Sequence, residues 1–472
     1  MLTGILLAID LAIVGLLVHF FFECIHEQEA RAMIVAAGGL ITFVLLSLGV
    51  VLFVPLSQTG AAAIIAIMVL AAILLRIPAR TNAKALKGAA GYVTGKAARV
   101  DERDIVFARA RLVPEQREQY QAYYNAHPEK EAADAKRREK GLLGVLGRID
   151  SAYQPNNAMV HASFDIPNYL GKNTVAEPQE GEARAQWDPA KATEIVKNYA
   201  RHIGADMVGI CRVNPLWVYS HRGEIHYGNW DQWGRELDNF PPYAVVMLTE
   251  MNWAHVSGAP HTPSVAESAN GYAKGAYLST LMARWFAHMG YRGVGQNTRN
   301  YDTLLSPLAQ DAGLGEVGRL GYLIAPKYGA RVRVFATLTD MPLMADKPIS
   351  LGVDEFCKKC KKCAESCPSR SIPLGAKEVF NGTERWKLDE DSCFELWGKV
   401  GTDCSVCMAV CPFSRPDTLS HKMVRYLVAR SWAAQTFFPL IDNFIYGKRW
   451  KPRQLPPWLY HPKGADAKKE IY

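Results

Sequence analysis

Between Ala32 and Leu75 the chain runs 44 residues without a formal charge, broken near Pro55, Ser57, Gln58, Thr59 and Gly60. About 20 apolar residues cross a bilayer, so Ala32 to Leu56 and Ala61 to Leu75 read as two spans, the second short unless it borrows flanking residues. A turn near Pro55 to Gly60 separates them. Leu2 to Phe22 is long enough for a third span, although it carries Asp10 near its centre and His19 near its end. A carboxylate at that depth must be neutral, paired, or turned toward a partner helix. Three spans are expected, and not a cleaved signal, because no basic leader and no small-residue cleavage site precede the apolar run.

After the last span come Arg76, Arg80, Lys84, Lys87, Lys96 and Arg99 with no acidic residue among them, whereas the Met1 end and the Ser57 to Gly60 turn carry no basic residue. The positive-inside rule then places everything after Leu75 on the cytoplasmic face of the inner membrane. Residues 79–150 read as a charged juxtamembrane linker. Its Arg99 to Asp150 stretch alternates signs densely, as at Lys136-Arg137-Arg138-Glu139-Lys140, and suits exposed helix or linker held by local charge pairs.

From Ser151 short apolar runs alternate with Gly and Pro. Ala205 to Val213, Ala244 to Leu248, Tyr322 to Ala325 and Arg333 to Thr339 read as strands, and Pro189 to His202 and Pro263 to Met289 as helices. Helices between strands predict an α/β layer structure over 151–350. With 49% hydrophobic and 21% charged residues the chain is neither disordered nor fibrous. The net charge of +8 owes much to the juxtamembrane run, so nucleic acid is not an expected partner.

Eight of the ten cysteines fall between Cys357 and Cys411, a clustering that points to metal and away from a disulfide framework. Cys357, Cys360, Cys363 and Cys367-Pro368 spell C-x2-C-x2-C-x3-C-P, the bacterial ferredoxin run for a [4Fe–4S] centre. A second run follows as Cys393, Cys404, Cys407 and Cys411-Pro412. With the fourth cysteines exchanged as in two-cluster ferredoxins, cluster 1 takes Cys357, Cys360, Cys363 and Cys411, and cluster 2 takes Cys367, Cys393, Cys404 and Cys407. Structural zinc is the competing reading, but two Cys-Pro runs with eight sulfurs exceed one zinc site. Cys24 and Cys211 are left over as inert buried thiols. Lys358, Lys359, Lys361, Lys362 and Arg370 surround the first run, as a docking face for an acidic donor or as plain solvated surface. Two adjacent clusters make a path for electrons, yet no G-x-G-x-x-G before a helix, no Walker loop and no metalloprotease pair supplies a terminus.

The order Ala312-Gly313-Leu314-Gly315-Glu316-Val317-Gly318-Arg319, Ala325-Pro326-Lys327-Tyr328-Gly329, Thr339-Asp340-Met341-Pro342-Leu343, then the two Cys-Pro runs, resembles the reductive dehalogenases. The resemblance covers roughly Asp188 to Trp458. It implies a nitroreductase-like α/β domain holding a base-off cobamide, served by a 351–420 ferredoxin-like module with two [4Fe–4S] clusters; a 421–472 tail is expected to pack on the catalytic domain, and the apolar pattern places a 1–78 membrane anchor ahead of them. It implies a small organohalide substrate and loss of halide. It also implies Tyr272 as proton donor, Arg333 as its basic partner, and Asn300, or Thr298 if the loop carries an insertion, as a polar neighbour. Ser268, one helical turn before Tyr272, would contact substrate. A phenol has a free pKa near about 10, and a fixed guanidinium beside it favours its conjugate base. Unlike respiratory members, which carry a twin-Arg export signal and a separate anchor subunit, this chain has its own spans and no such signal. Electrons would come from a donor protein or the membrane pool, and self-association stays open. Two rivals are an epoxyqueuosine-reductase-like corrinoid enzyme, against which the spans argue, and a noncatalytic iron–sulfur subunit of a membrane oxidoreductase.

Overall fold

The computed structural model describes residues 2–53, 58–79, 81–141, 154–179, 184, 186–453 and 458; part of the expected Pro55 to Gly60 turn, the end of the 79–150 linker and most of the tail beyond 453 lie outside them. Three apolar helices come first: α1 (Leu2–His26), α2 (Ala30–Phe53) and α3 (Gln58–Arg76). Two of them contain windows long and apolar enough to cross a membrane, Ala8–His26 and Ala30–Leu48, with mean hydropathy 2.1 and 2.0, while the apolar run Ala62–Arg76 is shorter. Asp10 is turned toward a partner helix, since Ser47 Oγ on α2 donates to its Oδ1 at 2.8 Å.

The charged stretch after Arg99 is not an exposed linker. Its helices α4 (Val106–Arg111), α5 (Arg117–Ala126) and α6 (Pro128–Glu139) form a packed layer around Leu112, Tyr123 and Tyr124. Arg109 and Asp134 are both almost fully buried and pair at 3.0 Å. Arg109 also reaches Asp391, and Arg111 meets Glu224 at 2.9 Å. Charge density suggests solvation, but here the charges find partners distant in the chain, the condition under which burying them is tolerated.

The next layer is built from α7 (Gln154–Leu170), β1 (Val175–Ala176), α8 (Pro189–His202), β2 (Met207–Arg212), β3 (Tyr243–Glu250), the single turn α9 (Trp253–Val256), α10 (Thr262–His288), β4 (Gly293–Gln296), α11 (Leu305–Asp311), β5 (Glu316–Val317), β6 (Leu323–Ile324) and β7 (Val332–Thr339). α8 begins where its sequence says it should: Asp188 accepts from the amides of Ala190 and Lys191, and Pro189 fills the first turn. Five strands form one sheet in the order β1-β4-β7-β3-β2, with every neighbouring pair antiparallel. Tyr322 to Ala325 does not join it; β6 pairs with β5 in a separate two-stranded ribbon.

Side-chain alternation along β3 divides the core. Ala244, Val246 and Leu248 face α11, whereas Val245 and Met247 face α8 and α10. On β7, Arg333 and Phe335 cross α10 at two glycines. A Cβ at Gly275 would lie 2.0 Å from the Phe335 ring, and one at Gly271 would lie 2.8 Å from Arg333 Cγ. Overpacking such a contact costs roughly 1–3 kcal/mol. Gly275→Val is therefore expected to lower the thermal midpoint clearly, while Gly95→Ala, with nothing within 4 Å, should leave it unchanged in the same calorimetric scan.

The last part carries α12 (Val353–Cys360), α13 (Lys362–Glu365), the β8 (Glu378–Phe380) and β9 (Thr383–Arg385) hairpin, α14 (Glu390–Val400), α15 (Val406–Ala409), α16 (Leu419–Arg430) and α17 (Trp432–Tyr446). Phe356, Val406, Met408 and Phe413 share one hydrophobic core with Met251, Val256 and Ala259 beside α9, which seats the cysteine loops against the sheet layer.

Candidate active site

α10 is 27 residues long and carries Ser268 and Tyr272 on one face, toward β7. Arg333 Nη1 donates to the Tyr272 hydroxyl at 3.2 Å, and its guanidinium stands 4.7 Å from the ring centroid. Arg333 Nη2 donates to Asp403 Oδ2 at 2.9 Å and also to Ser268 Oγ. Ser268 itself bonds Asp403. Burial pulls Arg333 toward neutrality, but the Tyr272 phenol and the Asp403 carboxylate outweigh it, and the guanidinium is held above its ordinary value.

Tyr272, Arg333 and Ser268 line a cavity of about 670 Å³ that Phe164, Trp217 and Tyr322 wall with aromatic surface. Ligand sites run roughly 300–1,000 Å³ with a few fixed polar groups among apolar ones, and this cavity has that character. Arg299 adds positive charge to the wall; burial and the neighbouring Arg111 hold it below its usual value.

Asn300 is not brought to this cavity. It lines a second one of about 420 Å³, where its Nδ2 donates to Thr174 Oγ1 at 2.6 Å and its Oδ1 accepts from Arg222 at 3.0 Å. A tight turn pairs Asn297 with Asn300, and it is Asn297 and Thr298 that line the first cavity. Loop length alone could not fix which of these neighbours faces inward. Asp403 and Tyr322 escaped the sequence reading. Asp403 stands immediately before Cys404, so a carboxylate inside a cysteine run was the available signal.

The clustered cysteines adjoin the cavity through Tyr322, which Cys393 and Cys407 neighbour. Burial pushes the thiols of Cys357, Cys360, Cys393 and Cys411 up to about 12, and those of Cys363, Cys404 and Cys407 upward as well. Neighbouring thiols add to the effect and sort the set. Cys363 has Cys357, Cys411 and Cys360 beside it, whereas Cys407 has Cys404, Cys393 and Cys367. Cys363 also feels Cys407, so the two groups adjoin. Among the described residues no three His, Cys, Asp or Glu side chains close on a single-ion position, so the thiols are grouped by neighbourhood and not around one centre. Buried, crowded thiols are poor thiolates unless a cation compensates them, which is what an iron cluster supplies.

Arg319 is 2% exposed, donates to the Cys357 carbonyl at 3.1 Å and stacks 4.6 Å from the Trp386 ring centroid, tying the glycine-rich loop to the first cysteine run. Lys362 is not part of a basic surface: it is 1% exposed and bonds Asp442. Cys24 and Cys211 are buried apart from the two groups, and burial pushes the Cys211 thiol upward.

A family model described as a 4Fe-4S dicluster domain matches residues 356–414. The tetrachloroethene reductive dehalogenase of Sulfurospirillum multivorans is 32% identical over 279 residues, which cover 51% of this chain and 54% of that protein. Over about half its length the chain is thus similar to the reductive dehalogenases. A solved structure of the catabolic reductive dehalogenase NpRdhA in complex with 3-bromo-4-hydroxybenzoic acid superposes with a TM-score of 0.58 at 25% identity, covering 79% of this chain and 53% of that one. An epoxyqueuosine reductase of Pseudomonas aeruginosa is 25% identical over 299 residues, covering 55% of this chain and 79% of that protein. The chain spans little more than half the length of these two reductive dehalogenases.

Proposed function

We propose that this chain is a membrane-anchored reductive dehalogenase that takes electrons through two [4Fe–4S] clusters to a cobamide and returns a carbon–hydrogen bond and halide from an organohalide. The observation that carries the reading is the Tyr272–Arg333 pair on the wall of an aromatic cavity that the cysteine loops adjoin. The cavity suits a cobamide: Arg333 Nε and Gln310 Nε2 line it as buried donors without a partner, and the many amide oxygens of a corrinoid are acceptors for such groups. When bound, the cobamide supplies a low-valent cobalt able to reduce a carbon–halogen bond.

The chain's own residues account for the rest. Overall, R–X, two electrons and one proton give R–H and X⁻. Tyr272 holds the proton at its hydroxyl and delivers it to the carbon that loses halide. Arg333 stabilises the phenolate left behind. Asp403 and Ser268 hold Arg333 in place, since each bonds its Nη2. Aromatic walls at Phe164, Trp217 and Tyr322 exclude water from the developing carbanion.

The thiol groups give the electron path a direction. Cys360 has Asp442 beside it, which bonds Lys362 and Arg415 near the α1–α2 elbow, so cluster 1 (Cys357, Cys360, Cys363, Cys411) lies toward the anchor. Cys393 and Cys407 neighbour Tyr322, which lines the cavity, so cluster 2 (Cys367, Cys393, Cys404, Cys407) lies toward the substrate. Six basic residues after the last span support a cytoplasmic-facing catalytic domain. Anaerobically purified and reconstituted full-length protein is expected to hold about eight irons and one cobalt per chain, show corrin absorption and debrominate aryl or alkyl bromides. Iron without corrin bands would leave only an electron carrier.

A further inference from the structure

α17 is apolar on its outward face as well as on its inward one. Its exposed positions include Phe437, Leu440, Ile441 and Phe444, spaced i, i+3, i+4 and i+7 on one face, with Leu440 64% and Phe444 66% exposed. Its inward side packs Ala434 and Phe438 on the core and also carries Gln435 and Asp442, the latter bonded to Lys362 and Arg415. Surface helices of water-soluble domains turn charged and polar residues outward. α16 extends the patch with Tyr426, 58% exposed.

The position of this face says what covers it. At its start, the Trp432 amide donates to the Ile77 carbonyl at 3.1 Å, just past the end of α3. At its other end, Arg31 Nε on α2 donates to the Phe444 carbonyl at 3.1 Å, and Tyr446 meets Phe20 of α1 edge to face. α17 thus runs from the end of α3 to the elbow where α1 stops at His26 and α2 starts at Ala30. Its 15 residues span about 22 Å across the end of the apolar bundle. Exposed Lys422, Arg430, Lys448 and Arg449 flank the apolar face. An amphipathic helix with basic flanks at the level where spanning helices end is the arrangement of an interfacial element, sunk roughly 5–10 Å into the headgroup and acyl boundary.

We infer that the α16–α17 face, centred on Phe437, Leu440 and Phe444, is a second membrane contact that lies in the plane of an anionic bilayer and holds the iron–sulfur module against it. The inference rests on the anchoring reading. Lipid, and not a second copy of the chain, is the occupant, because the patch is continuous with the ends of the three apolar helices and is rimmed by cations.

The test uses the full-length chain in phosphatidylcholine and phosphatidylglycerol vesicles, with a small fluorescent amino acid placed by codon suppression at one position at a time. With a nitroxide lipid labelled near the headgroup, probes at Leu440 and Phe444 are expected to lose about half their emission, as an interfacial helix requires. A probe at Tyr277, exposed on α10, should lose none, and one at Leu45 on α2 should respond to a nitroxide deep in the acyl chains. Quenching at Leu45 with none at Leu440 or Phe444 overturns the inference while anchoring stands; if cross-linking then joins two chains through α17, a second copy covers the face. No quenching at Leu45 means that the anchoring reading has failed, and the inference with it.

Discussion

Tyr272→Phe is expected to keep iron content, cobalt content and corrin spectrum, and to lower debromination by about 10²–10⁴-fold, the usual worth of a positioned proton donor. The ring is retained, so its stacking against Phe164 at 5.9 Å and its place under the Arg333 guanidinium at 4.7 Å survive. The loss should therefore fall on kcat with little change in KM. Steady-state rates on one aryl bromide, with cofactor occupancy measured on the same sample, decide the matter; undiminished turnover would remove Tyr272 from the chemistry.

Substituting Cys411 should produce an effect that the order of cysteines along the chain does not suggest. Cys411 belongs to the second Cys-Pro run, yet its thiol neighbours Cys363 of the first group, while Cys404 sits with Cys393 and Cys367. Cys411→Ala and Cys357→Ala are expected to leave the same residual paramagnetic signal, that of cluster 2, with about four irons in place of eight. Cys404→Ala should leave the complementary signal. Turnover driven by an electron donor should fall below detection in all three. If Cys411→Ala matches Cys404→Ala instead, the proposed exchange of ligands between the two runs is wrong.

Much of this site was readable before any fold was drawn, and the residues that escaped share a cause. Spacing alone carried the cysteine runs, because cluster ligation constrains local sequence. α8 was legible because Asp188 and Pro189 mark its first turn with local hydrogen bonds. Asp10 was legible as a group needing a partner, although not that Ser47 would be the donor. Tyr272 and Arg333 followed from the family resemblance, and the structure brings them to hydrogen-bond distance across 61 positions of chain. Tertiary placement decided the rest. Whether Asn297, Thr298 or Asn300 faces the cavity depends on one turn, and a slip of one residue reverses the answer. The acidic and basic residues from Arg99 onward looked solvated because a sequence displays density of charge but not its pairing; Arg109 with Asp134 and Asp391 bridges 25 and 282 positions. Asp403 was hidden in the same way, since its partners Arg333 and Ser268 come from β7 and α10.

The division of thiols between two loops bears on how the protein matures. In the proposed ligation, the first run leaves the ribosome with only three of the sulfurs its own cube requires, and the last arrives 54 residues later, counting from Cys357 to Cys411. The first cube cannot be completed on its own run alone. In that ligation, loading of the first cube waits for the second run, and if the apolar start is already in the bilayer by then, as the anchoring proposal holds, the assembly machinery must reach the chain there.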